Sequence, residues 1–181
     1  MKIFDFETVD SLPCIYHPEL DLLILSDIHL GLEGSVTSEG GYVPRFQLED
    51  IQNDLEKAKE ETGASRVLVN GDLKNEFRKN YYSEKKEIDN FLTHLKDLFQ
   101  EVILIEGNHD NFLEDIVEKN GLKIVKRYEE DKILFTHGHR EVKDLEDFET
   151  VVIGHEHPAL SLKDEIGVVE KVDCILHGES D

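Results

Sequence analysis

Residues Val102–Asp110 read VILIEGNHD, and this stretch decides the fold that the rest of the sequence supports. The apolar run predicts a short strand. An unbroken run of this length, rather than an alternating one, is typical of a strand that is covered on both faces of a sheet. After Glu106 and Gly107 come three polar residues, Asn108, His109 and Asp110, where a simple turn would need none. The stretch therefore predicts an α/β fold with chemistry at the carboxyl end of a strand.

Four more apolar runs end in the same manner. In chain order, the five runs and the polar residues that follow them are Leu22–Leu25 before Asp27 and His29, Val67–Val69 before Asp72, Val102–Ile105 before Asn108 and His109, Ile133–Phe135 before His137 and His139, and Val151–Ile153 before His155 and His157. In open α/β sheets, ligands gather outside the carboxyl ends of the strands. We expect the five strand ends to converge on one site.

The residue types at these strand ends are typical of a divalent metal site. Imidazole and carboxylate ligands suit Mn, Fe, Zn, Co or Ni. In Asp27-Ile28-His29 and in His155-Glu156-His157, alternate residues of an extended segment point the same way, so both outer residues can bind a metal. A single Asp-x-His or Gly-Asp occurs often by chance, whereas five such motifs in order indicate a shared site. Two divalent ions about 4 Å apart can share a hydroxide and clamp the oxygens of a phosphoryl group.

The composition is strongly acidic. The chain has 181 residues and a formal net charge of −21, which repels polyanions at long range and disfavours nucleic acid as a partner. One basic cluster, which we interpret as a solvated surface or as a receiver of substrate phosphates, comprises Lys74, Arg78, Lys79, Lys85 and Lys86. The N-terminus lacks the apolar core of a secretory signal, and no apolar run approaches the ~20 residues of a membrane span. We expect one cytoplasmic domain, residues 1–181, without a membrane partner.

Helical periodicity predicts two long amphipathic helices and a short one. The first opens near Pro44 and ends at Gly63, the second presents an apolar face from Ile88 to Phe99, and the third runs from Asn111 to Lys119. The glycine-rich segment Gly31–Gly41 predicts a long flexible loop beside the first motif. Further strands are expected at Leu12–Tyr16, Leu122–Val125, Ala159–Leu162 and Val168–Leu176. The alternation of strand and helix predicts a layered α/β architecture.

The five motifs in this order resemble those of the calcineurin-like metallophosphoesterase family, over residues 22–158. The flanking words Arg45-Phe46-Gln47, Gly71-Asp72-Leu73-Lys74 and Gly154-His155-Glu156-His157-Pro158 look like one branch, the ICC-like predicted phosphoesterases, to which a ligase-associated DNA endonuclease is also similar. The resemblance implies the metallo-dependent phosphatase fold. In that fold, two mixed sheets are flanked by helices in a four-layer α-β-β-α sandwich.

The resemblance also implies a role for each site residue. The seven metal ligands would be Asp27, His29 and His157 for one ion, Asn108, His137 and His155 for a second, and Asp72 as the bridge between them. His109 would contact the phosphate and protonate the leaving group, and Asp110 would orient its imidazole. The family implies two divalent ions, with Mn preferred and Fe, Zn, Ni or Co as alternatives. Weaker candidates for substrate contact are Asn75, His139 and Arg45.

Two features depart from the pattern of this branch. Asn75 stands where His is expected, and an Asn side chain can hydrogen-bond a phosphate but cannot be a titrating acid near neutrality. The chain also ends about two dozen residues after His157, where relatives usually continue with further strands. The resemblance therefore implies either a short version of the domain or one that lacks C-terminal strands. A sheet edge left exposed in this way would favour pairing with a partner, in an oligomeric state that the sequence does not define.

The predicted activity is hydrolysis of phosphoesters by in-line attack of a hydroxide that bridges two metal ions. Phosphodiesters, including nucleotides or nucleic acid, are preferred over monoesters. A phosphomonoesterase and a non-catalytic scaffold that retains the fold are the alternatives, although a scaffold would be expected to have lost ligands. Zinc-protease, nucleotide-triphosphate and serine-hydrolase motifs are absent from the sequence.

Overall fold

The computed structural model describes residues 1–10, 12–38, 46–76, 82–164, 166–167 and 169–179. The helices are α1 (Leu32–Ser38), α2 (Gln47–Thr62), α3 (Tyr82–Leu98) and α4 (Glu114–Lys119), with a 3-10 turn at Leu145–Asp147. The strands are β1 (Lys2–Ile3), β2 (Phe6–Thr8), β3 (Ile15–His17), β4 (Leu22–Leu25), β5 (Arg66–Asn70), β6 (Glu101–Ile105), β7 (Ile124–Val125), β8 (Arg127–Glu130), β9 (Ile133–Thr136), β10 (Thr150–Ile153), β11 (Ala159–Lys163) and β12 (Val169–Asp173).

The strands form a large mixed sheet, a small sheet and a hairpin. Strands β1 to β7 lie side by side in chain order, antiparallel up to β4 and parallel from β4 to β7. The small sheet has the order β10-β9-β8, and its β9 and β10 are parallel. Strands β11 and β12 pair as a separate antiparallel hairpin. Within each sheet, the parallel strands therefore end at a common edge, as the sequence predicts.

Alternate residues of the central strands fill two apolar cores. Leu23 and Val67 point to the core formed with the helices, where Leu55 of α2 and Phe91 of α3 are buried. The opposite face of the large sheet packs on the small sheet in a second core, which is formed by Phe6, Leu20, Leu22, Ile24, Leu68, Ile103, Ile105, Ile133 and Phe135. The predicted α/β class is confirmed: the large sheet packs against the small sheet on one face and against helices on the other.

Some predicted elements differ from the structure. Segment Leu32–Ser38 is a helix rather than a flexible loop, and residues 39–41 of that loop prediction lie outside the described residues. Strand β10 is not covered on both faces, because Val151 and Ile153 are 39% and 55% exposed. Helix α2 ends at the predicted Gly63, whose φ of 72° suits a glycine C-cap. No helix in the described parts of the chain is long and apolar enough to cross a membrane.

Candidate metal centre

The five strand ends deliver their polar side chains to one place, as predicted. Backbone hydrogen bonds hold two of the motifs side by side, from Asp27 N to the Gly71 carbonyl (3.1 Å) and from His29 N to the Asp72 carbonyl (3.0 Å). Five of the seven predicted ligands have positive φ, namely Asp27 (56°), His29 (51°), Asp72 (52°), His155 (69°) and His157 (42°). Such conformations are costly for residues other than glycine and cluster at functional sites.

The first ligand group contains Asp27, His29 and His157, whose donor atoms lie within 4.8 Å of one another. The Nε2 atoms of His29 and His157 are 3.3 Å apart, and His157 Nε2 is 3.3 Å from an Asp27 carboxylate oxygen. Burial lowers the pKa of His29 despite the opposing effect of Asp72. A low pKa favours the neutral imidazole, which is the form that binds metals.

The second group contains Asp72, His137 and His155, also within 4.8 Å of one another. Nδ1 of His137 lies 2.9 Å from the Asn70 carbonyl, which can only accept, so Nδ1 carries the hydrogen. In the neutral ring, Nε2 therefore presents a lone pair, and it faces oxygens of Asp72 at 3.3 Å and of Asn108 at 3.1 Å. Three electron-rich atoms directed at one another fit a cation in the space between them.

The Asp72 carboxylate lies between the two groups. One oxygen is 3.3 Å from His137 Nε2, and the other is 3.9 Å from His29 Nε2. Burial raises the pKa of this carboxyl, but the adjacent His137 ring, in its charged form, and the His109 amide, which donates at 2.9 Å, outweigh burial and leave the pKa below its ordinary value. The buried carboxylate is therefore ionised and faces both groups, as a bridging ligand must.

His109 faces the same space, but it is not oriented as predicted. Its Nε2 lies 3.9 Å from Asp72, while its Nδ1 lies 2.6 Å from the backbone carbonyl of Asn75. The Asp110 carboxylate instead accepts hydrogen bonds from the amides of Gly107 (2.8 Å) and Lys74 (3.2 Å). Asp110 thus fastens two motif loops together, and the contact assigned to it on His109 belongs to Asn75. His109 also forms a group with His29 and Asp72 that could hold a metal.

The three weaker candidates have different outcomes. The Asn75 carbonyl is in the site, in contact with His109. The His139 ring centroid is 5.2 Å from that of His137, and both ring nitrogens of His139 are buried without a hydrogen-bond partner among the described residues. Arg45 lies outside the described residues.

The basic cluster is not one surface. Lys74 is completely buried, whereas Lys85 and Lys86 are exposed on α3. The interpretation of Lys74 as part of a solvated face is therefore wrong. Residues Arg78 and Lys79 lie outside the part of the chain that the structure describes.

Gly107 gives a direct test of how closely the site is packed. A Cβ at this position would lie 2.1 Å from an Asp72 carboxylate oxygen and 2.2 Å from the Asp72 amide nitrogen. We expect Gly107→Ala to weaken metal binding by roughly 10–100-fold, because the added Cβ displaces the Asp72 carboxylate and the backbone that positions it. The unfolding free energy should fall by about 1–3 kcal/mol through overpacking. Isothermal titration with Mn²⁺ and thermal unfolding measure the two effects.

The matched control for this change is Gly178→Ala, where an added Cβ meets no atom within 4 Å. It should retain both the affinity and the stability of the natural sequence. Metal affinity in Gly107→Ala equal to that of the control would show that Asp72 does not depend on this close contact.

Comparison with known proteins defines the class. The model of the calcineurin-like phosphoesterase family matches residues 20–178, and the chain belongs to this family. A comparison with curated proteins gave no match. Among solved structures, nuclease MPE of Pseudomonas putida is similar with a TM-score of 0.64 and 19% identity, over 87% of this chain and 70% of that one. The phosphoesterase YfcE of E. coli has a TM-score of 0.41 and 23% identity, over 65% and 57% of the chains.

Proposed function

We propose that this chain is a dinuclear metal-dependent phosphoesterase that hydrolyses phosphodiesters. The observation that carries the proposal is the position of Asp72, whose buried carboxylate faces His29 on one side and His137 on the other. Bound there, two divalent ions would supply a hydroxide nucleophile and stabilise the charge that develops on the phosphoryl oxygens. The ligand set suits Mn²⁺, which we propose as the preferred metal, with Fe, Zn, Ni or Co as substitutes.

The chain's own residues complete the site. His109 has a partly exposed side chain, and its Nε2 faces Asp72 while the Asn75 carbonyl holds Nδ1. The ring is thereby fixed with one nitrogen directed at the space where the ester would lie. A histidine in this setting can protonate the leaving oxygen, which contributes about 10²–10⁴-fold to the rate. The positive-φ turns at Asp27 and His155 keep the ligands close to this space.

Two features support a diester that carries aromatic groups, such as a nucleotide. Phe112 follows His109 by three residues, is 62% exposed and has a φ of 66°. Phe46 is also exposed, next to Gln47, whose amide donates to the carbonyls of Ile28 and His29. Exposed aromatic rings are the platforms on which bases stack. The net charge of −21 limits long polyanions, so we propose mononucleotide-sized or short substrates.

The test is a phosphoester panel on protein reconstituted with Mn²⁺, Zn²⁺, Ni²⁺, Co²⁺ or Fe²⁺. Bis-p-nitrophenyl phosphate should be hydrolysed faster than p-nitrophenyl phosphate, with the highest turnover in Mn²⁺ and two ions bound per chain by elemental analysis. Activity on the monoester alone would reverse the substrate preference. A metal content near zero after reconstitution would favour the alternative of a non-catalytic scaffold.

A further inference from the structure

A buried ion pair lies beneath the site and has no part in the chemistry described so far. Lys74 is 0% exposed and Glu84, on α3, is 2% exposed, and Lys74 Nζ lies 3.9 Å from one Glu84 oxygen. Burial lowers the pKa of Lys74 and raises that of Glu84, in each case against the attraction of the partner. Such a pair gives little net stability, because the loss of hydration of both charges offsets their attraction. Its presence here calls for another explanation.

The second oxygen of Glu84 accepts a hydrogen bond from the backbone N–H of Glu76, at 2.9 Å. That N–H and the carbonyl of Asn75 belong to the same planar peptide group. In a trans peptide the two groups point in opposite directions, and the described chain contains no cis peptide. Glu84 therefore holds the N–H edge of this peptide group. The opposite edge presents the Asn75 carbonyl oxygen, which lies 2.6 Å from His109 Nδ1.

The structure thus joins Glu84, one peptide group and His109 in series. We propose that Glu84 is a positioning residue for His109, acting through the Asn75–Glu76 peptide, and that Lys74 balances its charge. A carboxylate that accepts the N–H polarises the peptide and strengthens the carbonyl as an acceptor for Nδ1–H. The imidazole is then held with Nε2 towards the ester. This inference rests on the proposed function, in which His109 protonates the leaving group.

The local packing is built to admit Glu84 at this point. A Cβ at Gly31 would lie 2.8 Å from Glu84 Cγ, so the absence of a side chain at Gly31 lets the carboxylate reach the loop. Lys74 N in turn donates to Asp110, and Asn75 N donates to the Leu30 carbonyl at 2.9 Å. The backbone directly before the Asn75–Glu76 peptide is therefore anchored as well.

The first experiment is spectroscopic and uses metal-free protein labelled with ¹⁵N-histidine. In long-range ¹H–¹⁵N correlation spectra, the His109 ring, assigned by comparison with His109→Asn, should be the Nδ1–H form. In Glu84→Gln, where the acceptor is neutral, and more so in Glu84→Ala, it should become a mixture of the two neutral forms. An unchanged His109 spectrum in both variants would overturn the proposal.

The second experiment compares two substrates that differ in leaving group. Bis-p-nitrophenyl phosphate needs little help from an acid, whereas diphenyl phosphate, with its poorer leaving group, depends on one. We expect Glu84→Gln to raise the ratio of kcat for the first substrate to kcat for the second at least tenfold, a part of the ~10²–10⁴-fold contribution of an acid. The double variant Lys74→Met/Glu84→Gln, which removes both buried charges, should show the same change in ratio with a better-preserved fold.

The controls distinguish a failure of the positioning role of Glu84 from a failure of the proposed function on which it rests. Asp97→Asn, an exposed residue of the same helix, should leave the ratio unchanged. If the natural sequence hydrolyses neither ester, the proposed function fails. A different outcome is that the natural sequence hydrolyses both esters, with both rates falling equally in Glu84→Gln and in the double variant. In that case Glu84 is only structural, and its proposed positioning role is wrong.

Discussion

Replacing Asp72 by asparagine is expected to remove both metal ions from the protein and to lower turnover by roughly a thousandfold or more. The carboxylate faces His29 and His137 at once, so losing its charge weakens both ligand groups together. Asparagine is nearly the same size and tolerates the φ of 52° at this position. Its Oδ1 can still accept the backbone N–H of His109, which donates to Asp72 at 2.9 Å, so the fold should persist. We therefore expect the substitution to abolish metal binding without unfolding the protein.

Elemental analysis after reconstitution with Mn²⁺ and the hydrolysis of bis-p-nitrophenyl phosphate measure this result. Asp97→Asn makes the same chemical change at an exposed position and should retain two ions and full turnover. A protein that still binds two ions after Asp72→Asn would contradict the bridging role. A protein that keeps one ion would show that Asp72 belongs to one ligand group only.

Replacing His109 by asparagine should have the opposite pattern, with the metal retained and the turnover lost. We expect kcat for diphenyl phosphate, whose poor leaving group needs an acid, to fall by about 10²–10⁴-fold, the usual contribution of a positioned acid. The two proposed ligand groups keep all their members, because His109 belongs to neither. The metal content of the variant should therefore equal that of the natural sequence.

The His109 result also decides between two arrangements. His29, Asp72 and His109 lie close enough to hold a metal, and His109 would then be a ligand rather than an acid. Loss of one ion in His109→Asn would support that arrangement. Turnover equal to that of the natural sequence would refute the acid role altogether.

Much of the fold follows from the apolar runs. Strand β4, for example, is buried at every residue, and its sequence reads as strand without any help from tertiary structure. Strands β1 and β8 were not predicted, because they are short and have exposed polar residues. Helix α1 replaces part of the predicted loop, because glycine content lowers helix propensity but gives no information on packing.

The clustering of the candidate ligands could be predicted because their side-chain types are those that bind metals. The contacts that surround these residues could not be predicted. Asn75 acts through its backbone carbonyl, and every residue has a carbonyl, so no side-chain pattern marks it. Lys74 looked like a surface charge because lysine is seldom buried, and only the position of Glu84 shows why it is. The predicted contact between Asp110 and His109 is wrong, because proximity in sequence does not define where the Asp110 carboxylate points.

The contact between His29 and His157 joins residues 128 positions apart, and this separation would couple any ion bound there to the folding of the whole chain. No short fragment can hold both sides of the site, so an ion that binds there recognises only the folded state. Mass action then adds about 2.7 kcal/mol to the unfolding free energy when the free ion is at a hundred times its dissociation constant. The cellular supply of the metal would in this way set how long the protein survives, as well as how fast it works.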